Sequence, residues 1–316
     1  MRAIQFTEYG PPGVVHVAEV EAPHAGPGEI RVAVRASGIA AGEIRIRSGE
    51  MRALVPVTFP YRTGVEAAGV VDEVGDGVTG VGIGDEVFGM ADSAARGANA
   101  EFAVLAAWAP KPAGWSWAEA GGAAGAVEAG TRVLDRLAVG AGHTVLVQGA
   151  AGGTGSIVVQ LAVARGATVL GTASERNHEF LRSLGAKPTT YGPGLAERIR
   201  ALAPSGVDGV VDCAGGTLPE LVAIAGDPTR VVTLADVTAA AEHGVHLSHG
   251  APAGETGAAV GAADPLALHG LPIAVTLAGE GRLRVPVAAA FPLAEAAAAH
   301  ELSESRHARG KIVLMS

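Results

Sequence analysis

The sequence predicts an α/β protein in two parts, a doubly wound parallel sheet and a smaller β-rich domain, and three observations carry that prediction. First, from Thr144 to about Asp236 short apolar runs alternate with helical stretches, the pattern of βαβ winding. Second, several of those runs are apolar throughout instead of alternating, as parallel strands covered on both faces must be. Third, the first 120 residues carry short β-like runs broken at close spacing by Gly and Pro.

Taken in order, the β-rich part shows runs at Ile30–Ala36, Gly69–Val74, Glu86–Gly89 and Glu101–Leu105. The winding region supplies strands Thr144–Gln148, Ala167–Gly171, Val207–Cys213 and Arg230–Asp236, with a weaker one at Pro188–Tyr191. Helices fill the gaps at Thr154–Arg165, Arg176–Leu184 and Leu195–Ala203, and right-handed crossovers complete an open sheet. The tail gives a strand, an Ala-rich helix and a last strand, Lys311–Met315, expected to return to the N-terminal domain. The expected bounds are therefore 1–120 with 284–316 for one domain, and 121–283 for the other. Ligands of open α/β sheets bind beyond the carboxyl ends of the strands, which puts the expected cleft between the domains.

Composition excludes several function classes. With 316 residues, 48% of them hydrophobic and 17% charged, the chain can bury a large core. A net charge of −9 argues against a nucleic-acid partner, which needs concentrated Lys and Arg. No apolar run reaches the roughly 18 residues of a membrane span, and Glu8 interrupts any signal-like start, so a cytoplasmic protein without membrane partner is expected. A single cysteine, Cys213, leaves no internal disulfide and no cysteine-rich metal site.

The chemistry-bearing motif is Gly149-x-x-Gly152-x-x-Gly155, directly after a strand and at the opening of a helix. The turn needs one glycine, backbone approach to a pyrophosphate a second, and tight helix packing a third, while the free N–H groups of the helix start face the phosphates. A close-packed turn without ligand is the other reading of the same glycines. Ala150, Gly153 and Thr154 belong to the same turn, and Ala214 and Leu234 beside the later strands complete the candidate set. After the second strand, Ser174 and Arg176 offer a hydroxyl and a guanidinium, which favour the 2′-phosphate of NADP(H) over the bare ribose of NAD. Glu175 either points at ribose or faces solvent. Tyr191 either adds a phenolic hydrogen bond to the phosphate or is a half-buried strand aromatic.

The stretches MRAIQFTEYGPP, ASGIAAGEIRIRSG, GVEAAGVVDEVGDGV, GDEVFG, GAAGGTG, TASERNHEFLRSLGA and RGKIVL together span most of the chain. In these the sequence resembles the medium-chain dehydrogenase/reductase superfamily, and within it the zinc-independent quinone oxidoreductase-like proteins. The resemblance implies a GroES-like domain completed by the C-terminal segment, a Rossmann domain, NADP(H) and a homodimer. Zinc-holding relatives carry Cys, Gly-His-Glu and a later Cys or Asp, whereas this chain has Ser37-Gly38-Ile39 and Gly64-Val65-Glu66. No metal is therefore expected; a His243, His246, His249 cluster is the remaining metal reading. Without a Lewis acid, a quinone or α,β-unsaturated carbonyl is the natural hydride acceptor. The alternatives are an NADPH-binding protein with little redox activity, and a non-redox enzyme of cyclase or lyase type using the same cleft.

The chain departs from the family pattern at three places. Ala40-Ala41-Gly42-Glu43 stands for Asn-Pro-x-Asp, Asn99 for an aromatic, and Ala129 for a threonine expected near the nicotinamide. These imply a reshaped pocket or simple drift. Glu43 and Glu128 are the candidate proton donors, with Glu66 a third glutamate; each is alternatively structural, paired with Arg45, Arg47 or Arg62. Lys311 contacts cofactor phosphate or the pocket mouth, or is a solvated surface lysine.

Overall fold

In the computed structural model, residues 1–91, 97–251 and 263–316 are described. The chain divides into two compact units, Met1–Gly125 with Leu268–Ser316, and Ala126–Ala267. Residues 268–283, placed by the sequence reading with the second domain, cluster with the first unit, because the helix Gly270–Gly279 packs on the strand Ala107–Pro110.

The first unit is built on a seven-stranded sheet whose centre is the pair Ile30–Gly38 and Glu66–Val74. Both strands run longer than their apolar patterns, since small residues at Ala67, Ala68 and Gly69 extend the pairing where no branched side chain announces it. A Cβ at Gly69 would stand 2.3 Å from the Ala33 carbonyl oxygen, so the backbones meet there only because Gly69 lacks one. The last strand, Lys311–Met315, pairs antiparallel with Ile30–Gly38 on one side and parallel with Val287–Pro292 on the other. One core cluster forms around Ile30, Val32, Val71 and Val87. A second, around Ile4, Ile44, Leu293 and Leu314, seats the helix Ala296–Glu304.

That helix carries His300, fully buried with neither ring nitrogen hydrogen-bonded among the described residues. Burial, and then the charge of the buried Arg47, push its imidazole down to about 4. Arg47 itself donates to the Gly10 carbonyl at 2.8 Å and is ion-paired with Glu304. Because the folded-state value lies below the unfolded one near 6.5, the unfolded chain takes up the proton first. Stability is therefore lost as pH falls from about 6.5 to about 4, by up to about 3 kcal/mol. His300→Leu should flatten that part of the profile; thermal melts of both proteins at pH 7, 5.5 and 4.5 check it, and parallel curves would refute it.

The second unit is a six-stranded parallel sheet: β1 Thr144–Gln148, β2 Thr168–Thr172, β3 Lys187–Thr189, β4 Gly209–Asp212, β5 Val231–Thr233 and β6 His246–Leu247. Their order across the sheet is β3-β2-β1-β4-β5-β6, every pairing parallel. This is the doubly wound Rossmann order, with its reversal between β1 and β4. β4 and β5 are buried at every position, and β1 and β2 at all but the first, which accounts for their unbroken apolar runs. Leu146, Leu170 and Val210 of the sheet pack with Leu195, Ile199, Leu218 and Leu221 of the covering helices.

Candidate functional site

At the carboxyl end of β1 the chain turns at Gly149, whose φ of 74° is open to glycine at little strain. The Gly149 N–H donates to Thr172 Oγ1 at 3.1 Å, and the Ala150 N–H to the Thr172 carbonyl at 3.1 Å, locking the turn to the end of β2. The helix Gly153–Ala164 then starts from Gly152, which offers no side-chain cap. Its first-turn N–H groups have no intrahelical acceptor and form a ready anion cradle.

The three glycines do three separable things. A Cβ at Gly155 would lie 2.3 Å from the Gly149 carbonyl oxygen, so this position is closed by the protein's own backbone. A Cβ at Gly149 would meet Ala214 Cβ at 3.1 Å, which brings the loop after β4 against the turn. At Gly152 a Cβ would meet only the Gly149 oxygen at 3.4 Å, leaving space on its outer side. The outer side of Gly152 is thus unobstructed by the protein's own atoms, as a turn that receives a dinucleotide's pyrophosphate requires.

Beyond β2, Ser174 precedes a 3-10 turn, Glu175–Asn177, and its hydroxyl accepts from Asn177 Nδ2 at 3.2 Å. Arg176 and Glu175 are both exposed, and Arg176 has no hydrogen-bond or ion-pair partner among the described residues. Tyr191 follows the end of the neighbouring β3 and is 58% exposed, which removes the reading of it as a half-buried strand aromatic. Ser174, Arg176 and Tyr191 thus follow the carboxyl ends of two adjacent strands. Ala214 and Leu234 follow β4 and β5; the Ala214 N–H is turned inward to Asp212 Oδ1 at 3.0 Å, and the Leu234 N–H to the Asp212 carbonyl at 2.8 Å. Cys213, between Asp212 and Ala214, has its thiol pushed up by burial and by the Asp212 charge, which keeps it in the neutral thiol form.

The candidate proton donors are corrected. Glu128 is buried; Arg132 Nε donates to its Oε1 at 2.8 Å, and the Ala267 N–H donates to the same oxygen at 3.1 Å. Arg132 continues to Ser248, whose hydroxyl donates to Asp264 Oδ2 at 2.6 Å, and His246 Nε2 lies 2.9 Å from that oxygen. Burial alone would raise the Asp264 carboxyl, but the bonds from Ser248 and His246 outweigh it and hold it below the usual range. Glu128 is therefore a structural anchor, and Arg132, not the arginines expected, is its partner. In the first unit Glu43 Oε1 accepts the Gly64 N–H at 2.7 Å, fixing a turn where φ is 101° and a Cβ would strike Asn99 N at 2.2 Å. Asn99 is buried beside it and donates to Thr63 Oγ1 at 2.9 Å. Ala40 precedes the helix Ala41–Arg47, and Ala129 sits half-buried on the helix Ala124–Arg136.

Lys311 is likewise corrected: it is neither a phosphate ligand nor a solvated lysine. Its Nζ donates to Glu66 Oε1 at 2.7 Å, and both side chains are almost fully buried. Glu66 Oε2 accepts the Gly125 N–H at 2.7 Å. A Cβ at Gly38 would lie 2.1 Å from Glu66 Oε1, so the carboxylate occupies the room left by that glycine. Ser37, Val65 and Glu66 therefore do not form a zinc-holding set: the donors at the first two positions are a hydroxyl and none, and the third is committed to an ammonium. His246 is likewise turned to Asp264, and no group of three or more His, Cys, Asp or Glu able to hold a metal occurs among the described residues.

The comparisons with known proteins agree with this architecture. Residues 26–132 match the family described as alcohol dehydrogenase GroES-like domain, and residues 184–314 match that described as zinc-binding dehydrogenase. The chain is 33% identical over 227 residues to a chloroplast envelope quinone oxidoreductase homolog of Arabidopsis thaliana, covering 68% of this chain and 69% of that protein. The chain belongs to the medium-chain dehydrogenase/reductase superfamily, in its quinone oxidoreductase-like branch. Within this superfamily it is 32% identical over 197 residues to a 2-methylene-furan-3-one reductase of Solanum lycopersicum, spanning 59% of this chain and half of that enzyme. A mycobacterial protein solved as its NADPH complex superimposes with a TM-score of 0.78 at 26% identity, over all of both chains. The GroES-like and Rossmann assignments follow directly from this membership.

Proposed function

We propose that the protein is an NADPH-dependent oxidoreductase that transfers hydride to a quinone or an α,β-unsaturated carbonyl, without a metal. The observation that carries the reading is the open glycine turn at Gly152, with the exposed, unpartnered Arg176 and the Ser174 hydroxyl after the next strand. The relatives support it, one being described as a quinone oxidoreductase homolog, another as a reductase of an enone-type furanone, and a third as an NADPH complex. A bound NADPH would supply a hydride to an electron-poor carbon of the acceptor.

The chain's residues supply the rest. Gly152–Gly155 and the helix start hold the pyrophosphate, Arg176 with Ser174 and Tyr191 holds the 2′-phosphate, and Ala214 and Leu234 line the second half of the dinucleotide. With Glu43 and Glu128 engaged as anchors, solvent water is the proton source for the enolate or quinol oxygen. The assembly implied by the family is a homodimer, and no helix among the described residues is long and apolar enough to cross a membrane.

The test is oxidation of NADPH, with NADH in parallel, against a panel of quinones and enones. Turnover favouring NADPH supports the proposal, whereas tight NADPH binding with no acceptor reduced would move the assignment to a binding protein or a non-redox enzyme. Arg176→Ala should weaken NADPH by about 10- to 100-fold, the worth of about 1.5–3 kcal/mol for a charge-assisted bond, and leave NADH unchanged. An equal loss for both nucleotides, read by fluorescence titration, would show that Arg176 does not meet the 2′-phosphate.

A further inference from the structure

The last residue of each of the first five strands of the parallel sheet is polar and buried: Gln148, Thr172, Thr189, Asp212 and Thr233. They stand at one level, since Thr172 pairs with Thr189, Gln148 with Asp212, and Asp212 with Thr233. Every residue before them in β1, β4 and β5 is apolar or glycine except the half-buried Thr144 that opens β1. A sheet buried on both faces gains nothing from a polar row, because each group must find a partner or destabilise the core. Here they find partners in one another and in the loops that follow.

Thr172 Oγ1 donates to Gln148 Oε1 and accepts the Gly149 N–H. Asp212 Oδ1 accepts the Ala214 N–H at 3.0 Å and the Gly215 N–H at 2.9 Å, while its Oδ2 accepts the Thr233 hydroxyl at 2.7 Å. Thr233 Oγ1 in turn accepts the Ala235 N–H at 3.1 Å and the Asp236 N–H at 2.9 Å. Asp236 Oδ2 closes the array by accepting the Gly216 N–H at 2.9 Å. Five backbone N–H groups from the loops after β1, β4 and β5 are thus held by three side chains of the row.

We infer that this row is a positioning device for the dinucleotide, in which Asp212 and Thr233 set the loops that receive its nicotinamide half. The inference rests on the cofactor reading proposed above. A doubly wound sheet binds the two mononucleotide halves on either side of the reversal between β1 and β4. Asp212 and Thr233 lie on the side of β4 and β5, so they act on one half only. Thr172 and Gln148, tied to the glycine turn, act where the two halves join.

Thr233→Val keeps the side-chain shape and removes the hydroxyl that links the two loops. In the full-length protein it should weaken NADPH by about tenfold or more, leave adenosine 2′,5′-bisphosphate within about twofold, and recover in Thr233→Ser. Unchanged NADPH affinity overturns the inference. An equal loss for both probes does so too, since it marks a merely structural role. If Thr233→Val does not fold, Asp212→Asn, which keeps an acceptor for Ala214 and Gly215 but replaces the acceptor for the Thr233 hydroxyl, is read by the same two titrations. Failure of the unaltered protein to bind NADPH or NADH would instead refute the cofactor reading itself.

Discussion

Lys311→Met is expected to lower the stability of the protein by about 3–5 kcal/mol, because it strands the Glu66 carboxylate in the core. The pair is 2.7 Å apart, and the carboxylate's other oxygen accepts the Gly125 N–H. Methionine matches the aliphatic stem of lysine, so the loss is one of charge compensation and not of packing. The melting temperature should fall on the order of 10 °C. Glu66→Gln combined with Lys311→Met removes both charges and should restore most of the loss. Melts of the single and double variants at pH 7 decide it; a single variant within about 1 kcal/mol of the parent would mean that water reaches the pair.

The second large effect separates two neighbouring glycines. Gly155→Ala places a Cβ 2.3 Å from the Gly149 oxygen and 3.0 Å from Ala150 Cα, both backbone atoms that cannot step aside alone. It should cost about 1–3 kcal/mol of stability and, by displacing the turn, about 100-fold in NADPH affinity. Gly152→Ala meets only the Gly149 oxygen at 3.4 Å, at a φ of −75° that alanine adopts freely. Its stability should stay within about 1 kcal/mol of the parent, the difference between glycine and alanine at a helix cap. NADPH affinity should nevertheless fall about 100-fold, since the methyl stands where the pyrophosphate approaches. Calorimetric titration with parallel melts reads both quantities. If Gly152→Ala binds NADPH normally, the open position is not the phosphate site.

These contrasts also show which parts were legible in the sequence. The Rossmann strands declared themselves because burial on both faces leaves an apolar run, and β1 was read to the residue. The strand Glu66–Val74 was read short, starting at Gly69, because its first three residues are a glutamate and two alanines. Its glutamate is satisfied by a lysine 245 positions away, a partner that no local pattern announces. Glu128 and Arg132, by contrast, stand four apart on one helix, a spacing that signals an ion pair and outranks a catalytic reading. The polar row had a signal as well: TVLVQ, TVLGT, GVVD and VVT each end an apolar run on a hydrogen-bonding residue before a glycine- or alanine-bearing loop.

The first unit is made from residues 1–125 and 268–316, and the strand Lys311–Met315 supplies one neighbour of Ile30–Gly38 as well as the cation for Glu66. On the ribosome residues 1–125 therefore emerge well before the segment that completes their unit. Residues 126–267 are all available to fold while Glu66 still waits for its counter-ion and Gly38 for Val313 opposite it. A nascent chain stalled before Lys311 should carry a protease-resistant Rossmann unit beside a protease-sensitive unit of residues 1–125, so that the strand Lys311–Met315 is what makes the earlier-made segment resistant.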